Sequence, residues 1–126
     1  MNKKQVTKSY PWLKINGSKT TLLDLIPEGW HAIVLDMCNK IATQLDKWNV
    51  PREHYKVADA KEKWFTLSWF GYLSNDEHEP YNHPADEDIM KITQDYELMS
   101  QKICMICGRE KSAREIVCKE CRDKIG

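Results

Sequence analysis

The sequence lacks any run of about 18 apolar residues, so it offers no candidate for a membrane-spanning helix. Its basic start is not followed by an apolar stretch, and we therefore expect no signal peptide and a cytoplasmic location. Net charge is also absent, because 19 acidic residues balance 19 basic ones, which argues against a dedicated duplex-DNA-binding protein. Phosphate-binding glycine loops, nucleophile elbows and H-E-x-x-H zinc motifs are missing, so we expect no enzyme.

The five cysteines carry the most specific pattern in the sequence. Four of them form two C-x-x-C pairs separated by ten residues: Cys104, Cys107, Cys118 and Cys121. Two such pairs can place four thiolates around one metal ion, and a site closed by four protein ligands leaves no position for a catalytic water. The sequence therefore predicts one structural Zn²⁺. An Fe–S cluster and a redox pair are the alternatives. Cys38 stands alone at an apolar position, where a buried small hydrophobic side chain is expected.

Hydrophobic periodicity predicts an α+β fold. Apolar residues recur at helical spacing between Glu28 and Lys47, and again from Asp86 to Lys102. Two β-rich runs, 55–60 and 63–72, predict an antiparallel hairpin that turns at 61–62. We expect a small antiparallel sheet with two amphipathic helices and a C-terminal zinc ribbon or knuckle. The expected organisation is a flexible basic tail over 1–9, an α+β core over 10–102 and a metal-binding module over 103–126.

The aromatic run at 64–72 has two interpretations. The run follows Lys61 and Lys63, and unpaired bases could stack on its five aromatic side chains: Trp64, Phe65, Trp69, Phe70 and Tyr72. Alternatively, the strand is packed on both faces and belongs to the core.

The region 75–97 is acidic, with eight acidic residues against one lysine. Such a surface repels phosphate and favours a basic protein partner. The candidate partner-binding residues are Asp76, Glu77, Glu79, Asp86, Glu87 and Asp88. The same loop holds His78 and His83, which could bind a second metal or act as a general acid or base. Solvated polar residues are the simpler interpretation of both features.

Three segments resemble a group of small zinc-ribbon proteins of tailed bacteriophages and prophages, most of which have no assigned function. The segments are the 24–30 stretch Asp-Leu-Ile-Pro-Glu-Gly-Trp, the 61–63 Lys-Glu-Lys before the aromatic strand, and 100–108 at the first cysteine pair. The aromatic-Gly-Leu-Arg pattern that usually follows Lys-Glu-Lys is absent here. The resemblance implies a phage-encoded module that binds a host protein or protein complex, including antiviral defence complexes. The alternative is a zinc protein that binds single-stranded nucleic acid.

Overall fold

The computed structural model describes residues 3–15 and 17–125. Residues 1 and 2 of the predicted tail and residue 126 of the predicted module lie outside this part of the chain. Within it, the α+β class is confirmed: four α-helices accompany one two-stranded antiparallel sheet and a C-terminal cluster of four cysteines. In chain order the elements are α1 (Lys3–Ser9), α2 (His31–Lys47), β1 (Tyr55–Lys63), β2 (Thr66–Leu73), α3 (Ala85–Ser100) and α4 (Lys119–Ile125).

The N-terminal segment differs from its predicted form. Lys3–Ser9 forms α1 instead of a flexible tail, because Val6 is buried in the core and Arg52 donates to the carbonyl oxygen of Ser9. Short 3-10 turns follow at Pro11–Leu13 and Leu22–Leu25. Trp12 and Leu13 of the first turn are buried in the core, which anchors this segment.

The core lies between α2, α3 and one face of the hairpin. The predicted apolar stripe of α2 is confirmed, since Val34, Met37, Ile41 and Leu45 are buried along it. Leu67 and Trp69 of β2 pack on this core, and the Trp69 indole N–H donates to the Tyr55 hydroxyl at 2.9 Å. From α3, Ile89 and Tyr96 complete the core, and the Tyr96 hydroxyl donates to the Asp36 carboxylate on α2.

The hairpin turn lies three residues later than the sequence predicts. Lys61 and Glu62 belong to β1, which pairs with β2 up to Lys63 opposite Thr66. The two-residue connection is Trp64–Phe65, with φ of 53° and 64°. Positive φ at both central residues is the type I′ arrangement, whose twist matches that of the flanking strands. The turn position is therefore set by strand pairing, because neither residue favours this conformation on its own.

Candidate functional site

The four predicted metal ligands converge at the C-terminus. The sulfur atoms of Cys104, Cys107, Cys118 and Cys121 all lie within 4.8 Å of one another, and three of these residues are buried. A tetrahedron with metal–sulfur bonds of about 2.3 Å places its sulfurs roughly 3.8 Å apart. The cluster could therefore hold one metal ion. Among the described residues, these cysteines form the sole group of three or more His, Cys, Asp or Glu with this geometry.

Backbone hydrogen bonds shape the first cysteine pair into a knuckle. The Gly108 N–H donates to the carbonyl oxygen of Cys104 at 2.8 Å, and the Cys104 N–H donates to that of Arg109 at 2.7 Å. Gly108 has φ of +80°, a conformation that side chains rarely tolerate, so glycine is needed after the second cysteine. The second pair opens α4, where the Arg122 N–H donates to the carbonyl oxygen of Cys118 at 3.0 Å.

The first knuckle is docked on the start of α2. The Gly29 N–H donates to the carbonyl oxygen of Met105 at 2.8 Å, and the Trp30 indole N–H donates to that of Ile103 at 3.0 Å. A Cβ at position 29 would lie 2.1 Å from the carbonyl oxygen of Cys104, so the contact requires glycine. This role of Gly29 was not predicted from the sequence, although a glycine directly before a tryptophan is a signal of close backbone approach.

Charged side chains tie the two halves of the cysteine module together. Arg109, just after the first pair, forms an ion pair with Glu120, which lies between the cysteines of the second pair. Lys111 donates to the carbonyl oxygens of Gln101 and Glu115, and so fixes the connection between the pairs. These cations also lie in the part of the chain that carries the thiolates, whose negative charge they offset.

The thiols of the cluster are electrostatically unequal when no cation is bound. Burial opposes ionisation of Cys104, but backbone hydrogen bonds from Cys118, Cys107 and Ile106 outweigh it and lower its pKa to about 6. Burial, followed by the neighbouring thiols of Cys107, Cys118 and Cys104, raises the pKa of Cys121 to about 12. The Cys104 thiolate thus forms readily, whereas the Cys121 thiol needs a bound cation to lose its proton, and such coupling of proton loss to cation binding is the behaviour of a metal site.

The six acidic candidates do not form one free surface. The Asp86 carboxylate accepts the His83 backbone N–H at the start of α3, and that of Asp88 accepts the Trp48 indole N–H at 3.2 Å. Asp76 lies 3.3 Å from the Nε2 atom of His54. Asp86 is half-buried, and the other five candidates are exposed, Asp76 and Asp88 among them. Part of the acidic character therefore stabilises the loop and the helix start, and the partner-binding role stays a prediction.

The structure gives the two loop histidines different surroundings. His83 accepts the Ala85 N–H through Nδ1, and its ring contacts Trp48 edge to face with centroids 5.6 Å apart. His78 is exposed at a tight turn with φ of 64°. No metal-binding arrangement of the described residues includes either of them. His83 thus has a structural environment of its own.

The aromatic strand is core on one face and exposed on the other. Leu67 and Trp69 are buried, whereas Phe70 is 65% exposed and Tyr72 is 39% exposed on the outer face. At the turn, Trp64 is 82% exposed and Phe65 is 42% exposed. A strand packed on both faces is therefore the wrong interpretation. Among the described residues no further strand pairs with the far edge of β1, and its residues on the outer face are polar, Lys61 and Lys63 among them. The outer face of the hairpin is therefore exposed to solvent.

Within the described residues, no helix combines the length and apolar character needed to cross a membrane. Comparison with known proteins adds no relative: no family model, no curated protein and no solved structure matches this chain.

Proposed function

We propose that the protein is a non-catalytic, zinc-stabilised module that binds a protein partner through the tip of its β-hairpin. Zinc is the metal that four cysteine thiolates in two C-x-x-C knuckles suit best, and four ligands close its coordination sphere. The metal then acts as a structural staple for the last 25 or so residues, a segment too short to bury a core of its own. This role leaves binding, not chemistry, as the activity of the molecule.

The observation that carries the proposal is the pair of exposed aromatic residues held at positive φ. Left-handed backbone costs a side-chain-bearing residue roughly 1–2 kcal/mol, and Asn-Gly would form the same turn at lower cost. Trp64 and Phe65 nevertheless occupy both positions and present their rings to solvent. Strain of this kind concentrates at functional sites. Tryptophan is also enriched among residues that dominate binding energy at protein interfaces, so an apolar pocket on the partner is the expected complement.

The resemblance to phage zinc-ribbon proteins supports a host protein or complex as the partner, an antiviral defence complex among them, with host cytoplasm as the site of action. The acidic residues of 75–97 would contribute long-range attraction to a basic partner surface. The hairpin tip would make the close contact with the partner. The acidic candidates would act mainly through their long-range electrostatic field: Asp76, Glu77, Glu79, Asp86, Glu87 and Asp88.

The test replaces the turn by one that folds better. In the double variant Trp64→Asn/Phe65→Gly, the type I′ turn has its preferred residues, so we expect the free energy of unfolding to rise by about 1–2 kcal/mol. Tagged protein would be recovered from host lysate treated with nuclease and analysed by native mass spectrometry. We expect a stoichiometric protein complex with the wild type and at least about tenfold less with the variant. Leu98→Ser, at an exposed position on α3, is the control.

Equal recovery of the complex by the more stable variant would contradict the tip as the contact surface. Because this variant is expected to gain stability, a loss of binding cannot be attributed to unfolding. Loss of the complex on nuclease treatment would instead favour nucleic acid.

A second candidate function has its own observation. Phe70 and Tyr72 are exposed on the same face of β2, two residues apart, opposite Asp59 and Lys56 on β1. Stacking aromatics beside lysines can bind single-stranded nucleic acid. A salt-sensitive shift with single-stranded oligonucleotide, lost in Phe70→Ser/Tyr72→Ser, would support this function. Absence of a shift at low salt would exclude it.

A further inference from the structure

A groove of about 660 Å³ is lined by β2 and by residues of α3 from Asp86 to Glu97. Its volume falls in the range of roughly 300–1,000 Å³ that is typical of ligand sites. One wall is the backbone of β2 around Gly71, and the opposite wall is formed by Ile89, Met90 and Gln94 of α3. Tyr81 of the loop before α3 also lines it. The groove is therefore a partly apolar channel along a strand.

Along the outer edge of β2, Leu67, Trp69 and Leu73 each have one backbone group that is hydrogen-bonded to a side chain or to the loop. The Leu67 N–H donates to the Ser100 hydroxyl at 2.8 Å, and the Trp69 N–H donates to the Glu97 carboxylate at 3.1 Å. Further along, the carbonyl oxygen of Leu73 accepts the Tyr81 N–H at 3.2 Å. Residues two apart point their backbone groups to the same edge, so the N–H and C=O of Gly71 face the groove. No protein group among the described residues pairs with them at this edge.

The negative charge of the groove restricts which ligands can pair with the backbone of Gly71. Its ionisable side chains, tyrosines apart, are the carboxylates of Asp86 and Glu97, and it is lined by no lysine, arginine or histidine. Glu97 is half-buried, and its carboxylate accepts the Trp69 N–H of the strand. A partly desolvated carboxylate gains from a cation placed beside it. Phosphate chains are disfavoured by the same two charges.

We propose that the groove binds a short extended peptide segment that pairs with the backbone of Gly71 and places a lysine or arginine beside Glu97. This is strand addition to a sheet edge, in which main-chain hydrogen bonds supply affinity and side-chain pockets supply specificity. Ile89 and Met90 would contact an apolar neighbour of the basic residue. The inference rests on the proposed protein-binding function and gives that function a second contact, separate from the hairpin tip.

Fluorescent eight-residue peptides test the inference directly: one of alternating lysine and valine, one of alternating glutamate and valine, and the first again with alternate amides N-methylated. Fluorescence polarisation measures affinity, and the Gly71 amide in a ¹⁵N–¹H spectrum reports the hydrogen bond. We expect the lysine peptide to bind and to shift the Gly71 amide. The acidic and the N-methylated peptides should bind at least about tenfold more weakly, because each lacks one of the two contacts.

Two variants that each add one positive charge to α3 distinguish an effect at the groove from an effect elsewhere on the helix. Gln94→Lys places a cation in the groove and should weaken the lysine peptide by about threefold to fivefold, whereas Leu98→Lys, outside it, should leave affinity unchanged. Glu97→Gln keeps an acceptor for the Trp69 N–H while removing the charge, and should weaken binding similarly. Equal binding of all three peptides, an unshifted Gly71 amide, or a shift produced instead by single-stranded oligonucleotide would overturn the inference.

The two proposals can fail independently. The peptide titration reports the groove and is unaffected by Trp64→Asn/Phe65→Gly, whereas recovery of the host complex by that variant reports the tip.

Discussion

The backbone N–H of Gly29 donates to the carbonyl oxygen of Met105 at 2.8 Å, which joins the start of α2 to the first cysteine knuckle. The space at Gly29 is filled, because an added Cβ would lie 2.1 Å from the carbonyl oxygen of Cys104 and 2.7 Å from that of Met105. Backbone atoms cannot move aside as the end of a flexible side chain can. The cysteine module is thus packed on the core through a contact that admits no side chain.

Replacing Gly29 by alanine should therefore separate the module from the core. We expect Gly29→Ala to lower the free energy of unfolding by about 2 kcal/mol, the cost typical of overpacking, as measured by urea denaturation. Glu28→Ala, at an exposed neighbouring position, is the matched control and should change stability by less than about 0.5 kcal/mol. If both variants unfold at the same urea concentration, the docking contact contributes nothing to stability.

Metal removal should destabilise the protein strongly. We expect native mass spectrometry to show one Zn²⁺ per chain, and a chelator to lower the free energy of unfolding by at least about 3 kcal/mol, since binding to a structural site is folding energy. Cys121→Ser should lose the metal, whereas Cys38→Ala should keep it. A chain that melts identically with and without chelator would contradict a structural role for the metal.

The fifth cysteine should be unreactive in the folded protein. Burial raises the pKa of Cys38 to about 12, against the smaller opposite effect of the hydrogen bond that the Trp12 indole N–H donates to its Sγ atom at 3.3 Å. At pH 8 the thiolate is then roughly one part in ten thousand. Iodoacetamide followed by mass spectrometry should leave Cys38 unmodified in native protein and modify all five cysteines in denaturant. Rapid native labelling at Cys38 would show that α1 and the first 3-10 turn open readily.

The Glu97 carboxyl should make stability depend on pH. Burial raises its pKa above the ordinary 4.5, partly offset by the hydrogen bond from the Trp69 N–H. The folded state then binds a proton more readily than the unfolded state, so this group's cost is absent below the unfolded pKa and complete above the folded one. Glu97→Gln should therefore stabilise the protein at pH 7 relative to pH 3.5, by under about 1 kcal/mol because solvent screens a half-exposed charge.

Urea denaturation at both pH values measures this difference. Leu98→Gln, also on α3 but at an exposed position without a titratable group, is the control and should show no comparable dependence on pH. A gain for Glu97→Gln that is larger at acidic pH would reverse the assignment.

Two kinds of feature could be predicted from the sequence: a helix with a periodic apolar pattern, and a metal-site motif whose residue types and spacing have one main chemical interpretation. The stripe of α2 follows from helical periodicity around Val34 and Ile41, and the convergence of the four cysteines follows from their spacing. The hairpin turn was missed because Trp64 and Phe65 are not turn formers, and only the pairing of Lys63 with Thr66 places them there. The position of α1 could not be predicted either, because a single buried valine gives no periodic pattern.

Long-range contacts account for the rest. Gly29 and Met105 are far apart in sequence, and nothing local indicates that they meet. The acidic residues are similar: composition shows a negative segment, but only the structure shows that Asp86 accepts a backbone N–H and that Asp88 accepts the Trp48 indole.

Ser100 is fully buried, and its hydroxyl accepts the Leu67 N–H while donating to the carbonyl oxygen of Glu97. One hydroxyl group thereby satisfies a backbone N–H at the edge of β2 and a carbonyl oxygen in the last turn of α3. A third strand would ordinarily occupy that edge, and an uncovered one invites pairing between copies and aggregation. The serine hydroxyl and the Glu97 carboxylate pair with the β2 edge at Leu67 and Trp69, the half nearest the aromatic tip, so this half does not serve as a template for other chains although the edge stays open at Gly71.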